Sequence, residues 1–165
     1  LRGGVYMDKD TWDINGDFPY LQTPGGQIKG LHLSTDFYEG KTDVYLDIDT
    51  FDRDNIYLSG TRIYAGVTED SAILDLSILD PLYSLDFFET RLSLAARDSL
   101  YAAHVLKDNI QIDGEKWAFT RDNELVFGKN YFYTKNLYIQ SGKKEIGLFP
   151  MGRTGIVLDV ISFNV

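Results

Sequence analysis

Two histidines are the only side chains in this sequence whose ordinary pKa lies near neutrality, and each lies in a strand-like run. His32 lies in residues 30–34 (GLHLS) and His104 in residues 102–105 (AAHV). Acyl transfer by a Ser-His-Asp set needs a positioned histidine, and neither run has the G-x-S-x-G pattern of a nucleophile elbow. The absence of cysteine excludes thiol nucleophiles and Cys-ligated zinc. We interpret both histidines as half-exposed strand residues and expect no catalytic residues and no enzyme activity.

Aspartates are abundant, but their spacing does not indicate a catalytic pair or a metal site. Asp43 and Asp47 alternate with apolar residues, which predicts the solvent face of a strand rather than glycosidase carboxylates. Residues 8–17 (DKDTWDINGD) are rich in oxygen ligands but lack the glycine and glutamate spacing of an EF-hand loop. The Asn15-Gly16 pair instead predicts a type I′ hairpin turn there. We expect no metal ion and no cofactor.

Tyrosines are a further set of residues with binding chemistry. Exposed aromatic rings on a sheet can stack on sugars, and Tyr45, Tyr57, Tyr64, Tyr131 and Tyr133 are candidates for such a platform. Tyrosine is also a favourable strand residue, because cross-strand aromatic pairs stabilise sheets. We favour the structural interpretation of these tyrosines over the binding platform.

Alternation of apolar and polar residues with a period of two covers most of the chain. In residues 43–49, Val44, Leu46 and Ile48 fall on one face and aspartates on the other, which predicts a strand with one solvent-exposed face. The stretch from 99 to 106 is also predicted as a strand, although its alanines suit a helix. The same alternation recurs in residues 62–67, 72–78 and 91–96.

Turn-forming residues divide the chain into short strands with no helix between them. Asp113-Gly114 is a second pair suited to a type I′ turn, and Ser59-Gly60 is interpreted as a further break between strands. Strands of five to eleven residues fit between these points. Successive strands joined by tight turns predict an antiparallel meander.

Length and charge restrict the class of protein. The chain has 165 residues with no stretch of about 18 apolar residues, which predicts one soluble all-β unit over residues 1–165. A formal net charge of −9 would repel phosphate, so we expect no nucleic-acid partner. A meander of about a dozen strands must roll into a barrel, split into a β-sandwich or bend into a U-shaped trough, and the alternation alone leaves these open.

The second half of the chain contains a sequence of strands that resembles a known family. Residues 110–119 are a predicted strand region that contains a tryptophan. In residues 122–130 the letters DNE precede a hydrophobic strand, and in residues 136–142 an asparagine precedes a hydrophobic strand that ends in Ser-Gly. Residues 30–34 and 38–44 add an apolar strand followed by a Y-x-G-K strand. This order resembles the C-terminal region of the TamB-like translocation and assembly module proteins, of the Bacteroidetes type, within the AsmA-like superfamily.

The resemblance implies a fold, a location and a function. TamB-like proteins are anchored in the inner membrane by an N-terminal helix, cross the periplasm and meet an Omp85-type outer-membrane partner. Their fold is an elongated sheet bent into a U, a β-taco with an apolar interior. The resemblance therefore implies a periplasmic segment of a much larger protein, its anchor outside this segment. It would act in outer-membrane biogenesis by holding phospholipid acyl chains or client strands of outer-membrane proteins.

The apolar members of each alternation are the predicted lining of this hydrophobic groove. A trough can hold acyl chains by area alone, since each buried CH₂ contributes roughly 0.8 kcal/mol. The same residues would form the core of a β-sandwich, and a carbohydrate-binding or adhesin-type module is the alternative function. The predicted lining residues are Val44, Leu46, Ile48, Ile63, Ala65, Val67, Leu74, Leu76, Ile78, Leu92, Leu94, Trp117, Phe119, Leu125, Phe127, Leu137, Ile139, Ile156, Leu158 and Val160.

Overall fold

All regular elements of the described chain are β-strands, as the alternation predicts. The computed structural model describes residues 2–8, 10–53, 56–79, 85–151 and 155–161. The strands are β1 (Arg2–Met7), β2 (Thr11–Thr23), β3 (Gly26–Tyr38), β4 (Lys41–Arg53), β5 (Ile56–Val67), β6 (Ser71–Leu79), β7 (Leu85–Arg97), β8 (Leu100–Ile112), β9 (Glu115–Phe119), β10 (Glu124–Gly128), β11 (Tyr131–Lys135), β12 (Tyr138–Ser141), β13 (Lys144–Met151) and β14 (Gly155–Ile161).

The strands form an open antiparallel meander. From β1 to β8, each strand pairs with the next one along the chain, and most of these strands have twelve or thirteen residues. Within the described residues, β1 pairs only with β2 and β14 only with β13, so the sheet does not close into a barrel. Consecutive strands become neighbours because tight turns join them. The predicted all-β meander is confirmed.

The C-terminal part continues the meander with two interrupted strands. β9 pairs with the end of β8 and β10 with its beginning, so β9 and β10 lie in line along one edge of β8. β11 pairs with β10 and β12 with β9, which places β11 and β12 in line as well. Residues 120–123 form the interruption between β9 and β10.

The sheet is a curved single layer rather than two packed sheets. The chain exposes 11283 Å², whereas a compact protein of this length exposes about 8,300 Å². Among the described residues, only Ala102, Ile110 and Trp117 are buried hydrophobic side chains. A β-sandwich would bury a row of side chains from each strand between its layers. The trough-like alternative therefore describes this fold, and the β-sandwich does not.

The turn predictions have different outcomes. Asp113 and Gly114 have φ values of 52° and 74° and connect β8 to β9, so that type I′ prediction is confirmed. The predicted turn at Asn15-Gly16 is wrong, because both residues lie inside β2 and pair with Ser34 and Leu33 of β3. Pairing on both edges, with β1 and β3, keeps this segment extended despite its turn-like composition. The strand predicted over residues 99–106 is confirmed as part of β8.

A kink crosses the first half of the sheet. Pro19, Gly30, Asp49 and Gly60 occupy equivalent positions in β2, β3, β4 and β5, and we name them the kink row. Gly30 and Gly60 have φ values of +60° and +55°, in the left-handed region that favours glycine. Such a residue bends a strand, so the predicted break at Ser59-Gly60 is wrong and is replaced by a kink within β5.

The kink row also explains an irregularity of the apolar pattern. Apolar residues on either side of the row are three positions apart instead of two, as for Ile28 and Leu31 in β3 or Ile48 and Phe51 in β4. Leu21, Ile28, Phe51 and Leu58 pair across β2–β5 as a separate apolar row. Pro19 fits inside β2 because no ladder pairing occurs at its position.

Candidate functional site

One face of the sheet carries the predicted groove residues. Leu46 lies opposite Ile63, and Ile63 lies opposite Leu76. In the next row, Leu74 of β6 lies opposite Leu92 of β7. Partners directly opposite each other point to the same side of a sheet. From β4 to β7 this register brings together Val44, Leu46, Ile48, Ile63, Ala65, Val67, Leu74, Leu76, Ile78, Leu92 and Leu94.

The same face continues into the C-terminal strands. Ile110 lies opposite Phe88 of β7 on one side and Trp117 of β9 on the other. Leu125 lies opposite Ala103, and Phe119 opposite Ile139. Phe127, two residues after Leu125 in β10, follows by alternation. Leu137 directly precedes β12, and its carbonyl accepts a hydrogen bond from the Leu148 N–H at 2.9 Å, which continues the β12–β13 pairing to its position. Ile156, Leu158 and Val160 belong to β14, but their side chains lie outside the described residues. We name the described set, with its apolar cross-strand partners, the apolar face.

Several members of the apolar face are absent from the predicted groove. Leu31 and Leu33 extend it into β3, opposite Ile48 and Leu46. Trp12, near the beginning of β2, and Phe37, near the end of β3, follow in the same face, and their rings stack at 5.6 Å with an interplanar angle of 8°. The alternation of apolar residues in 31–37 is the signal that identifies them from sequence.

The apolar face retains contact with solvent. Its aliphatic residues from β4 to β7 are half-buried rather than buried, and Val67 is 38% exposed. Side chains within a closed core lose nearly all of their accessible surface. The described strands therefore leave this face accessible to another molecule.

Cross-strand ion pairs stabilise the opposite face, which we name the polar face. Arg91 donates two hydrogen bonds to Asp75, at 2.6 and 2.8 Å, and Arg62 donates one to Asp47 at 3.1 Å. The Arg91 guanidinium holds the pKa of the Asp75 carboxyl below its ordinary value, against the opposing effect of burial. Opposite charges on neighbouring strands favour this register.

A buried carboxylate anchors the polar face near the β3–β4 turn. The Asp43 carboxylate accepts hydrogen bonds from Tyr64 (2.7 Å), Lys41 (3.0 Å) and Tyr38 (3.0 Å). The Tyr64 bond, followed by those from Lys41 and Tyr38, lowers the pKa of Asp43 below 3.8, although burial opposes this shift. The same bond raises the pKa of Tyr64. Three donors hold Asp43 in its ionised form.

Replacing Asp43 with asparagine is expected to reduce the loss of unfolding free energy that the protein shows as the pH falls from 7 to 2. A carboxyl whose pKa is lowered by folding contributes stability that is present above its ordinary value of 3.8 and is lost as the pH falls below it. Urea unfolding from pH 7 to pH 2 should show wild type losing more stability than Asp43→Asn. Asp10→Asn, at an exposed position that precedes β2, is the control. Parallel curves for wild type and Asp43→Asn would contradict this assignment.

The five candidate tyrosines do not form one platform. The rings of Tyr45 and Tyr64 are in contact, with centroids 4.9 Å apart. Tyr131 and Tyr133 lie on β11, on the other side of β8, and Tyr57 lies beyond Gly60 of the kink row. The described strands therefore do not bring the five tyrosines into the single platform that was the less favoured interpretation, because the meander order places these strands apart in the sheet.

Both histidines make structural contacts. His32 donates from Nδ1 to Asp17 at 2.6 Å, and His104 donates from Nδ1 to the backbone carbonyl of Asn123 at 2.8 Å. Among the described residues, no group of three or more His, Asp and Glu side chains is placed to hold a metal ion. The described part of the chain also contains no helix long and apolar enough to cross a membrane.

These features define an all-β protein with an open, curved meander, one apolar face and one ion-paired face. Comparison with protein-family models, with curated proteins and with solved structures finds no match to this chain.

Proposed function

We propose that this chain is a periplasmic segment of a TamB-like protein and that its apolar face holds phospholipid acyl chains during outer-membrane biogenesis. The observation that supports this function is the continuous apolar face, which extends from β2 to Ile146 of β13, the partner of Ile139, and remains accessible. Apolar surface of this extent on a soluble chain marks an interaction site. Residues 110–119 and 122–130, two of the segments that carry the TamB-like resemblance, contain the end of β8, all of β9 and all of β10 in the same sheet.

Three polar side chains on the apolar face are already bonded to backbone, which favours an apolar occupant at their positions. Thr90 donates its hydroxyl hydrogen bond to the Lys107 carbonyl, and Thr134 donates to the Leu148 carbonyl. Asp108 accepts a hydrogen bond from the backbone N–H of Phe119. Polar groups that are satisfied by backbone offer little to a hydrogen-bonding ligand, whereas acyl chains bind by buried area alone.

The proposed role requires no reaction. The segment provides a passive apolar surface, and the inner-membrane anchor and the Omp85-type outer-membrane partner belong to other parts of the full-length protein. Client strands of outer-membrane proteins are the second candidate occupant. They differ from lipid because a strand would also need backbone hydrogen bonds from a sheet edge.

Substituting aspartate for Leu76 is expected to reduce lipid binding at least about tenfold, since a charge on an apolar face opposes acyl contact. The 165-residue chain is incubated with palmitoyl-oleoyl phosphatidylethanolamine in detergent micelles, and retained lipid is measured by native mass spectrometry. Ser77→Asp is the matched control, because Ser77 is adjacent in β6 but lies on the polar face. Val67→Asp, near the end of β5 and 38% exposed, is a second variant with less effect on folding.

The outcomes separate the candidates. Loss of lipid in Leu76→Asp and Val67→Asp, with lipid retained in Ser77→Asp, supports the acyl-binding face. A folded Leu76→Asp or Val67→Asp protein that retains lipid, or a wild-type chain that retains none, would overturn it. Thermal unfolding of each variant establishes which proteins are folded.

A further inference from the structure

The polar face contains an open cavity of about 410 Å³ at the centre of the sheet. Ligand sites have volumes of roughly 300–1,000 Å³. Two cross-strand rows line the cavity. One runs from Tyr45 through Tyr64 and Asp75 to Arg91, and the other contains Ser77, the neighbour of Arg62. The apolar face lies on the other side of the same strands, so this cavity is separate from the proposed lipid surface.

One wall of the cavity is aromatic and fixed in position. The Tyr64 hydroxyl donates to the buried Asp43 carboxylate at 2.7 Å, which holds the Tyr64 ring. The Tyr45 ring lies against it at 4.9 Å with a tilt of 36°, and Tyr45 is 43% exposed. A tyrosine pair that is supported on one side and exposed on the other provides a flat surface for a ring with axial C–H groups.

The remaining walls carry balanced charges. Asp47, Asp75 and Glu89 provide three carboxylates, and Arg62, Arg91 and Lys107 provide three cations. Asp75 and Asp47 are already paired with Arg91 and Arg62, and Lys107 acts on the Asp75 carboxyl through its charge. In a chain with a net charge of −9, this neutral region attracts neither polyanions nor polycations. Its planar carboxylate and guanidinium groups retain acceptor and donor capacity for hydroxyls.

We propose that this cavity binds a neutral carbohydrate, with a sugar ring stacked on Tyr45 and its hydroxyls bonded by the charged pairs around Ser77. Aromatic surface beside planar polar groups matches the two sides of a pyranose ring, which has apolar C–H faces and a rim of hydroxyls. Between the two polar rows, the cavity is also bordered by residues that belong to the apolar face, namely Leu46, Ile63, Leu76 and Thr90. The proposal is nevertheless distinct from the lipid-binding function, because the side chains proposed to contact the sugar lie on the polar face.

Saturation-transfer NMR on the full chain tests the proposal with three neutral disaccharides, cellobiose, maltose and N,N′-diacetylchitobiose, and with glucuronic acid as the charged comparison. We expect at least one disaccharide to bind at millimolar concentration and Tyr45→Ala to weaken that binding at least about tenfold. Tyr133→Ala is the matched control, because Tyr133 is similarly exposed, at 40%, but lies on β11 away from the cavity.

Three results would overturn the proposal. They are the absence of binding by all three disaccharides, equal binding by wild type and a folded Tyr45→Ala protein, and preferential binding of glucuronic acid. Ser77→Tyr provides a second variant, since a bulky residue at the floor of the cavity should block the sugar without removing any ion pair. Retained disaccharide binding by a folded Ser77→Tyr protein would also contradict the site.

Discussion

Replacement of Asn123 with alanine is expected to reduce the free energy of unfolding by at least about 3 kcal/mol. Asn123 is buried, with an exposed fraction of 5%. Its side chain bridges the interruption between β9 and β10. Its Oδ1 accepts from the Val105 N–H at 2.7 Å, and its Nδ2 donates to the Val105 and Thr120 carbonyls at 3.2 and 2.8 Å. The amide thus replaces the missing neighbouring strand for β8.

The alanine variant leaves three backbone groups without their partner at a buried position. Each unsatisfied group costs roughly 1–3 kcal/mol, a large fraction of the stability of a single domain. Urea unfolding monitored by tryptophan fluorescence measures the effect. Asn109→Ala is the control, because among the described residues the Asn109 amide bonds to the exposed Glu89 carboxylate alone, and we expect it to cost less than about 1 kcal/mol. An Asn123→Ala protein within 1 kcal/mol of wild type would contradict the bridging role.

Replacement of Gly30 with alanine has the second large expected effect, a loss of about 2–5 kcal/mol. Gly30 has a φ of +60°, which costs a residue with a Cβ roughly 1–2 kcal/mol. The added Cβ would also lie 1.9 Å from Oδ2 and 2.8 Å from Cβ of Asp49. The whole Asp49 side chain would have to move, and overpacking of this kind costs roughly 1–3 kcal/mol more.

A second glycine separates the two costs at Gly30. Gly40, in the β3–β4 turn, has a φ of +76° but no atom within 4 Å of an added Cβ. Gly40→Ala should therefore show only the backbone cost of roughly 1–2 kcal/mol. The double variant Gly30→Ala with Asp49→Gly should recover most of the difference between Gly30→Ala and Gly40→Ala. Equal destabilisation by the two single variants, measured by urea unfolding, would show that Asp49 does not constrain the kink row.

Local patterns in the sequence were sufficient to predict the elements and the apolar face. Alternation in residues 43–49 identifies β4 and the side on which Leu46 lies, because a strand places successive side chains on opposite faces. Turn chemistry succeeds at Asp113-Gly114, where both residues have positive φ. It fails at Asn15-Gly16, where ladder pairing with two neighbouring strands outweighs the local turn preference.

The candidate sites are less visible in the sequence than the strands. The polar-face cavity combines residues from five strands, and nothing in the spacing of Tyr45, Asp75 and Lys107 indicates that they share a row. The bridging role of Asn123 is equally hidden, since Asp122-Asn123 resembles an ordinary turn. Both depend on register, which is set by the whole ladder rather than by neighbouring residues.

The sequence by itself therefore determined the all-β class, the antiparallel meander as a general architecture and the division into an apolar and a polar face. These properties follow from interactions between residues that are close along the chain: a period of two and tight turns between successive strands. Only the tertiary structure decided that the sheet stays open, bends at Gly30 and Gly60, and forms a cavity between Tyr45 and Arg91. Those features arise from cross-strand register and twist, which depend on residues far apart in the chain.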